Sequence, residues 1–201
     1  MNTVAVGRNE NPWIWCALLY LLASLPLGAR AADATVEQKA QACLACHGPQ
    51  GQSSSPTLPS LDGQTSHYLV DQLRDFAAGR RQSATMTPIA KALLPEDMQA
   101  LADYFSARRP MTTSDASDPA KAAHVQSVVA NSLCTMCHGD GFSGQNEIPR
   151  VANQRYAYIV KALKGFRDGK RTNDGGSMRA VMEGVSDQDI EALAQYIANL
   201  N

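Results

Sequence analysis

The sequence predicts an all-α protein made of two tandem copies of one small helical domain, and three observations carry that prediction. Cys43-Leu-Ala-Cys46-His47-Gly48 returns as Cys134-Thr-Met-Cys137-His138-Gly139, 91 residues later. Downstream of each motif the residues continue to match. Pro59 pairs with Pro149, Gln64 with Gln154, Tyr68 with Tyr158, Leu73 with Leu163, Phe76 with Phe166, Gly79 with Gly169 and Arg81 with Arg171, all at offset 90. Met86 with Met178, Asp97 with Asp189, Leu101 with Leu193, Ala102 with Ala194 and Tyr104 with Tyr196 then follow at offset 92, a drift that two small loop insertions or deletions explain. Finally, apolar residues recur at helical spacing in both halves, and no stretch alternates as a half-buried strand would.

The chain's 201 residues, 44% hydrophobic and 18% charged, fit a globular protein better than a disordered or multi-span membrane one. A formal net charge of -1 supplies neither the basic field expected of a nucleic-acid binder nor an acidic tail. Function has to come from particular residues.

The first of these lie at the N-terminus. Trp13 to Ala23 is an uninterrupted apolar run, preceded by Arg8 and followed by Ala29-Arg30-Ala31. It is shorter than the roughly 20 residues of a membrane-spanning helix, and the small residues fit a signal-peptidase site, so residues 1–31 read as a cleaved signal peptide rather than a retained anchor. Cleavage removes both tryptophans and Cys16, leaving four cysteines in an exported chain. An even cysteine count in such a chain ordinarily indicates disulfides, but the spacing here indicates something else.

Pro110 to Pro119 is polar and without periodicity, as linkers are. Domains are therefore expected at 33–109 and 120–201, joined by 110–119. In the first, Leu69, Leu73, Phe76 and Ala77 form a helical stripe ending at Gly79, and Ile159, Leu163 and Phe166 repeat it before Gly169. A final helix in each half carries Met98, Leu101, Ala102 and Phe105, or Ile190, Leu193, Ala194 and Ile197. Pro95 marks the start of one, and Ser186 with Asp189 that of the other. About 80 residues with so few aromatic side chains make a poor core unaided. Another group should fill the centre.

Cys-x-x-Cys-His supplies the means. Two thiols one helical turn apart can add to the two vinyl groups of a haem, and the adjacent imidazole can then ligate the iron. A zinc site would need a fourth ligand that each half supplies poorly, and a thioredoxin-like pair would need a βαβ setting. Neither rival, nor a pair of disulfides, explains the histidine after the second cysteine in both copies. Cys43, Cys46, Cys134 and Cys137 are thus expected to anchor two haem c groups, with His47 and His138 as axial ligands.

The repeat also nominates the sixth ligand of each iron. Met86 lies 39 residues after His47 and Met178 lies 40 after His138, both expected in irregular segments before the final helix. Met136 is inside an attachment motif, Met111 in the linker and Met98 on an apolar stripe. Met182 competes with Met178, but its counterpart is Ala90, whereas that of Met178 is Met86. His67 and His124 lack a histidine counterpart and read as surface residues. A His/Met pair raises the reduction potential and closes the iron to small molecules. The Pro59 and Pro149 loops are candidate carbonyl donors to orient the two ligating histidines. Arg80, Arg81, Lys170 and Arg171 are expected mainly as a solvated basic edge, with compensation of haem propionates as the alternative.

With these residues in view, the chain resembles cytochrome c4, the dihaem class I c-type cytochromes. The two attachment motifs, Gly63-Gln64 to Tyr68, Asn153-Gln154 to Tyr158, Gly79-Arg80-Arg81, Gly169-Lys170-Arg171 and the two methionines carry the resemblance. The Arg171-Thr-Asn-Asp174 run is especially similar, whereas the first half departs there with Arg81-Gln-Ser-Ala84. The resemblance implies two cytochrome c-like domains, each wrapped around a covalently attached haem and packed with the haems close together. It further implies a periplasmic electron carrier, working between a quinol-oxidising complex and a terminal oxidase. The readings from another class are a haem subunit of a sulfur-compound dehydrogenase and a dihaem peroxidase. A peroxidase would need an open or labile iron position, against the paired methionines.

Overall fold

Thr35 starts the first helix by a capping box: its hydroxyl accepts from the Gln38 amide at 3.4 Å, and the Gln38 side chain accepts from the Thr35 amide at 2.9 Å. The computed structural model describes residues 34–110, 125, 128–129 and 134–200. The expected signal peptide, His124 and all but the first residue of the expected linker lie outside the described residues. From Thr35 onward the chain forms one compact unit.

The first repeat contains α1 (Val36–His47), a 3-10 turn (Pro49–Gly51), α2 (Ser66–Ala77), α3 (Met86–Lys91) and α4 (Pro95–Ser106). The second contains α5 (Cys134–His138), α6 (Tyr156–Arg167), α7 (Ser177–Met182) and α8 (Asp187–Ala198). Among the described residues there is no strand, only an isolated bridge between Gln145 and Ile148. The expected all-α class therefore holds.

The expected helix starts are present. Pro95 occupies the first turn of α4, where its missing amide hydrogen costs nothing. The Ser186 hydroxyl accepts from the Asp189 amide at 3.1 Å and starts α8. The two short helices are a departure: Met86 and Met178 sit in the first turns of α3 and α7, not in irregular chain. Too brief to show an amphipathic period, these six-residue helices are held from outside. The Met86 amide donates to Ser83 Oγ at 3.0 Å, and the Met178 amide to Asp174 Oδ2 at 2.6 Å.

Each repeat closes by packing α2 on α4, or α6 on α8. The first core holds Ala40, Leu69, Val70, Leu101, Ala102 and Phe105, with Cys43 and Leu44 against it. The second holds Phe142, Ala152, Ile159, Ala194, Ile197 and Ala198, with Cys134 and Leu163 against it. Leu69 and Ile159, Ala102 and Ala194, and Phe105 and Ile197 are repeat partners, so the stripes bury as their spacing requires. A satellite cluster of Phe166, Met182 and Ile190 extends the second core.

The repeats meet through a two-fold-like set of polar contacts. Ser60 exchanges two bonds with Gln154: its amide donates to Gln154 Oε1 at 2.8 Å, and its carbonyl accepts from Gln154 Nε2 at 3.0 Å. Arg150, the repeat partner of Ser60, does the same with Gln64, at 2.7 and 2.8 Å. A surface of this kind is isologous, with partner positions trading roles across the join. Thr65 Oγ1 adds a bond to the Asn146 carbonyl, and the Tyr158 amide in the first turn of α6 finds the Pro56 carbonyl.

Candidate haem attachment and ligation sites

One helical turn in each repeat carries the whole attachment motif. Cys43 and Cys46 lie on the last turns of α1, with His47 ending it; Cys134, Cys137 and His138 make up α5. None of the four cysteines is paired in a disulfide; Cys43 and Cys134 are half-buried and Cys46 and Cys137 exposed. Burial pushes the thiol pKa values of Cys43 and Cys134 up from the ordinary range. Among the described residues no group of three or more histidine, cysteine or acidic side chains is placed to hold a bare metal ion.

Both histidines are oriented as expected. His47 Nδ1 bonds the Pro59 carbonyl at 2.7 Å, and His138 Nδ1 bonds the Pro149 carbonyl at 2.9 Å. A carbonyl can only accept, so each Nδ1 carries the proton and Nε2 keeps the lone pair that can bind iron. Burial lowers both imidazole pKa values, outweighing the Pro carbonyls that raise them, and so favours the neutral form. Gly48, with φ +85°, turns the chain immediately after His47; a Cβ there would collide with the Gln52 carbonyl.

The two candidate methionines and their competitor separate by burial. Met178 is half-buried and packs against the Phe166, Met182 and Ile190 cluster, whereas Met182 is a core member at 2% exposure. Met86 is likewise half-buried. Beside it, Thr87 Oγ1 is buried without a hydrogen-bond partner in the protein. Paired thiols, a neutral imidazole with a free nitrogen, a soft thioether and an orphaned hydroxyl fit a haem in chemistry. His67 is exposed, as its lack of a repeat partner implied.

The basic edge differs from expectation. Arg81 Nη2 donates to the Tyr158 hydroxyl and Arg171 Nη2 to the Tyr68 hydroxyl, each at 3.0 Å and each across the join. Their guanidinium groups lie over Phe76 at 4.6 Å and Phe166 at 4.4 Å. Arg80 instead pairs with Asp75. The two arginines are interface residues because their planar faces and forked donors serve an aromatic ring and a phenol at once. Gln64 and Gln154 were visible as a polar pair kept at offset 90 and as part of the segments that carry the family resemblance, but neither signal assigned them a partner in the other repeat.

Two helical units, each with a Cys-x-x-Cys-His turn and an oriented histidine, define a dihaem c-type cytochrome. The Cytochrome c family model matches residues 34–107 and again 122–201. The chain is 35% identical over 205 residues to cytochrome c4 of Azotobacter vinelandii, covering 92% of this chain and 97% of the relative. It is 34% identical over 188 residues to a protein of Thiomonas intermedia named thiosulfate dehydrogenase electron acceptor, covering 88% and 87%. A crystal structure of reduced recombinant cytochrome c4 from Pseudomonas stutzeri superimposes with a TM-score of 0.77 at 35% identity, over 83% of this chain and 97% of that one. This chain belongs to the cytochrome c4 family, and its cofactors are two covalently attached haem c groups.

Proposed function

We propose that this protein is an exported, periplasmic dihaem electron carrier. In this reading Cys43 and Cys46 hold one haem and Cys134 and Cys137 the other, with His47 and Met86 on one iron and His138 and Met178 on the other. The domains run over 33–109 and 120–201, preceded by a signal peptide at 1–31. Haem supplies reversible one-electron chemistry at each site when bound. The chain's residues do the rest. The thiols would fix each haem to its domain, the Pro59 and Pro149 carbonyls aim the two imidazoles, and the Met86 and Met178 thioethers would ligate the irons and favour the reduced state. The observation that carries the reading is the duplicated histidine–proline bond, which gives both repeats the same neutral, oriented imidazole.

Donor and acceptor follow the family: electrons enter from a quinol-oxidising complex and leave to a terminal oxidase. The relative named as an electron acceptor of thiosulfate dehydrogenase supports a sulfur-compound dehydrogenase as a second donor class. The test is the reduced absorption spectrum of the purified protein with and without carbon monoxide, alongside a covalent haem count. Two haems and an unchanged spectrum are expected. A carbon monoxide shift would reveal an open iron and move the protein toward a peroxidase-like activity.

A further inference from the structure

The peptide group between Pro59 and Ser60 is engaged at both ends. Its carbonyl accepts from His47 Nδ1 at 2.7 Å, and its N–H donates to Gln154 Oε1 of the other repeat at 2.8 Å. The Pro149–Arg150 peptide repeats the arrangement, its carbonyl 2.9 Å from His138 Nδ1 and its N–H 2.7 Å from Gln64 Oε1. Ser60, Gln64 and Gln154 are buried, each at 8% exposure or less. Each glutamine oxygen also accepts the amide that follows it, Thr65 or Arg155, at 3.0 Å, which locks its side chain in place.

We propose that Gln64 and Gln154 are positioning residues that act across the domain join, each setting the strength of the histidine–carbonyl bond in the opposite domain and with it that domain's reduction potential. This rests on His47 and His138 being the iron ligands. An N–H that donates to a good acceptor polarises its peptide, and the carbonyl at the other end becomes a stronger acceptor. A stronger bond at Nδ1 makes the imidazole a more basic ligand and favours the oxidised iron. Gln154 therefore holds down the potential of the haem at Cys43 and Cys46, and Gln64 that of the haem at Cys134 and Cys137. The coupling exists only while the domains are docked, so docking itself tunes both haems.

The experiment is a redox titration of the dihaem protein and its Gln154→Met and Gln64→Met variants, each haem assigned to its domain from hyperfine-shifted proton resonances. Gln154→Met is expected to raise the reduced-to-oxidised ratio of the first-domain haem about threefold at fixed ambient potential, about 28 mV for a one-electron couple. The second-domain haem should move far less, and Gln64→Met should show the reverse. Gln154→Glu keeps an acceptor for the Ser60 amide and strengthens it, so the first-domain haem should shift the opposite way. Thr65→Val, which removes only the bond to the Asn146 carbonyl, should leave both potentials in place. A shift confined to the haem of the mutated domain, equal shifts in both, no shift, or the same shift from Thr65→Val overturns the proposal. Failure of the ligand assignment is read separately: His47→Ala would then retain an unaltered low-spin spectrum.

Discussion

Arg81 of the first repeat donates to the Tyr158 hydroxyl of the second at 3.0 Å, while their repeat counterparts Arg171 and Tyr68 make the same bond in the opposite direction. Gln72 Oε1 accepts from both arginines, at 2.7 and 3.1 Å, and so joins the two bonds into one network. A charged donor to a half-buried phenol is worth more than an exposed ion pair, because water competes poorly for either group.

A double-mutant cycle on Arg81→Gln and Tyr158→Phe, read by denaturant unfolding, should give a coupling of about 1 kcal/mol. Additive effects would show that the bond contributes nothing to holding the repeats together.

The burial contrast between Met178 and Met182 predicts opposite phenotypes. Met182→Ala should cost about 3 kcal/mol of stability through a core cavity while leaving the iron spectrum unchanged. Met178→Ala should cost less stability but lower that haem's potential or open its iron to carbon monoxide. Reversed phenotypes would make Met182 the ligand.

Gly144 adopts φ +72°, and a Cβ on it would collide with the Pro149–Arg150 peptide that orients His138. Gly144→Ala should destabilise the second repeat by at least about 2 kcal/mol and disturb the spectrum of its haem, with the first haem little changed. A second-domain haem with an unaltered spectrum and potential would count against the role of this peptide.

Asp187, in the first turn of α8, accepts from Lys164 Nζ at 2.8 Å and Arg167 Nη1 at 2.7 Å. Those two hydrogen bonds hold its pKa below the ordinary carboxylate value of 3.8. With the folded value depressed, the ionised side chain favours the fold above pH 3.8, and the contribution fades as pH falls through the folded value. Unfolding of Asp187→Asn between pH 6 and about 2 should therefore show a shallower acid loss than wild type. Parallel curves would mean that the exposed pairs add nothing at this helix end.

Much of the fold was legible because its signals are local. The stripe at Leu69 and Phe76 and the Ser186 cap act within one or two turns, and both survive in the structure. The short helices at Met86 and Met178 were not, since six residues hold too little period and their first amides are satisfied by Ser83 and Asp174 in the preceding loops. Arg81 and Arg171 looked like a solvated edge because nothing in their own neighbourhood announces a phenol 77 or 103 residues away.

By itself the sequence determined the cofactor chemistry and the duplication. Thiol, thiol and imidazole within five residues form a unit whose reactivity depends on spacing along one helical turn, and writing it twice specifies two sites. Only the tertiary structure decided which copy's residue meets which. Gln64 and Gln154 occupy equivalent positions, and either could have bonded within its own repeat or across the join. Docking placed each against the peptide that holds the other domain's histidine, because the polar loops bury only when the two repeats face one another and every buried amide must then find a partner.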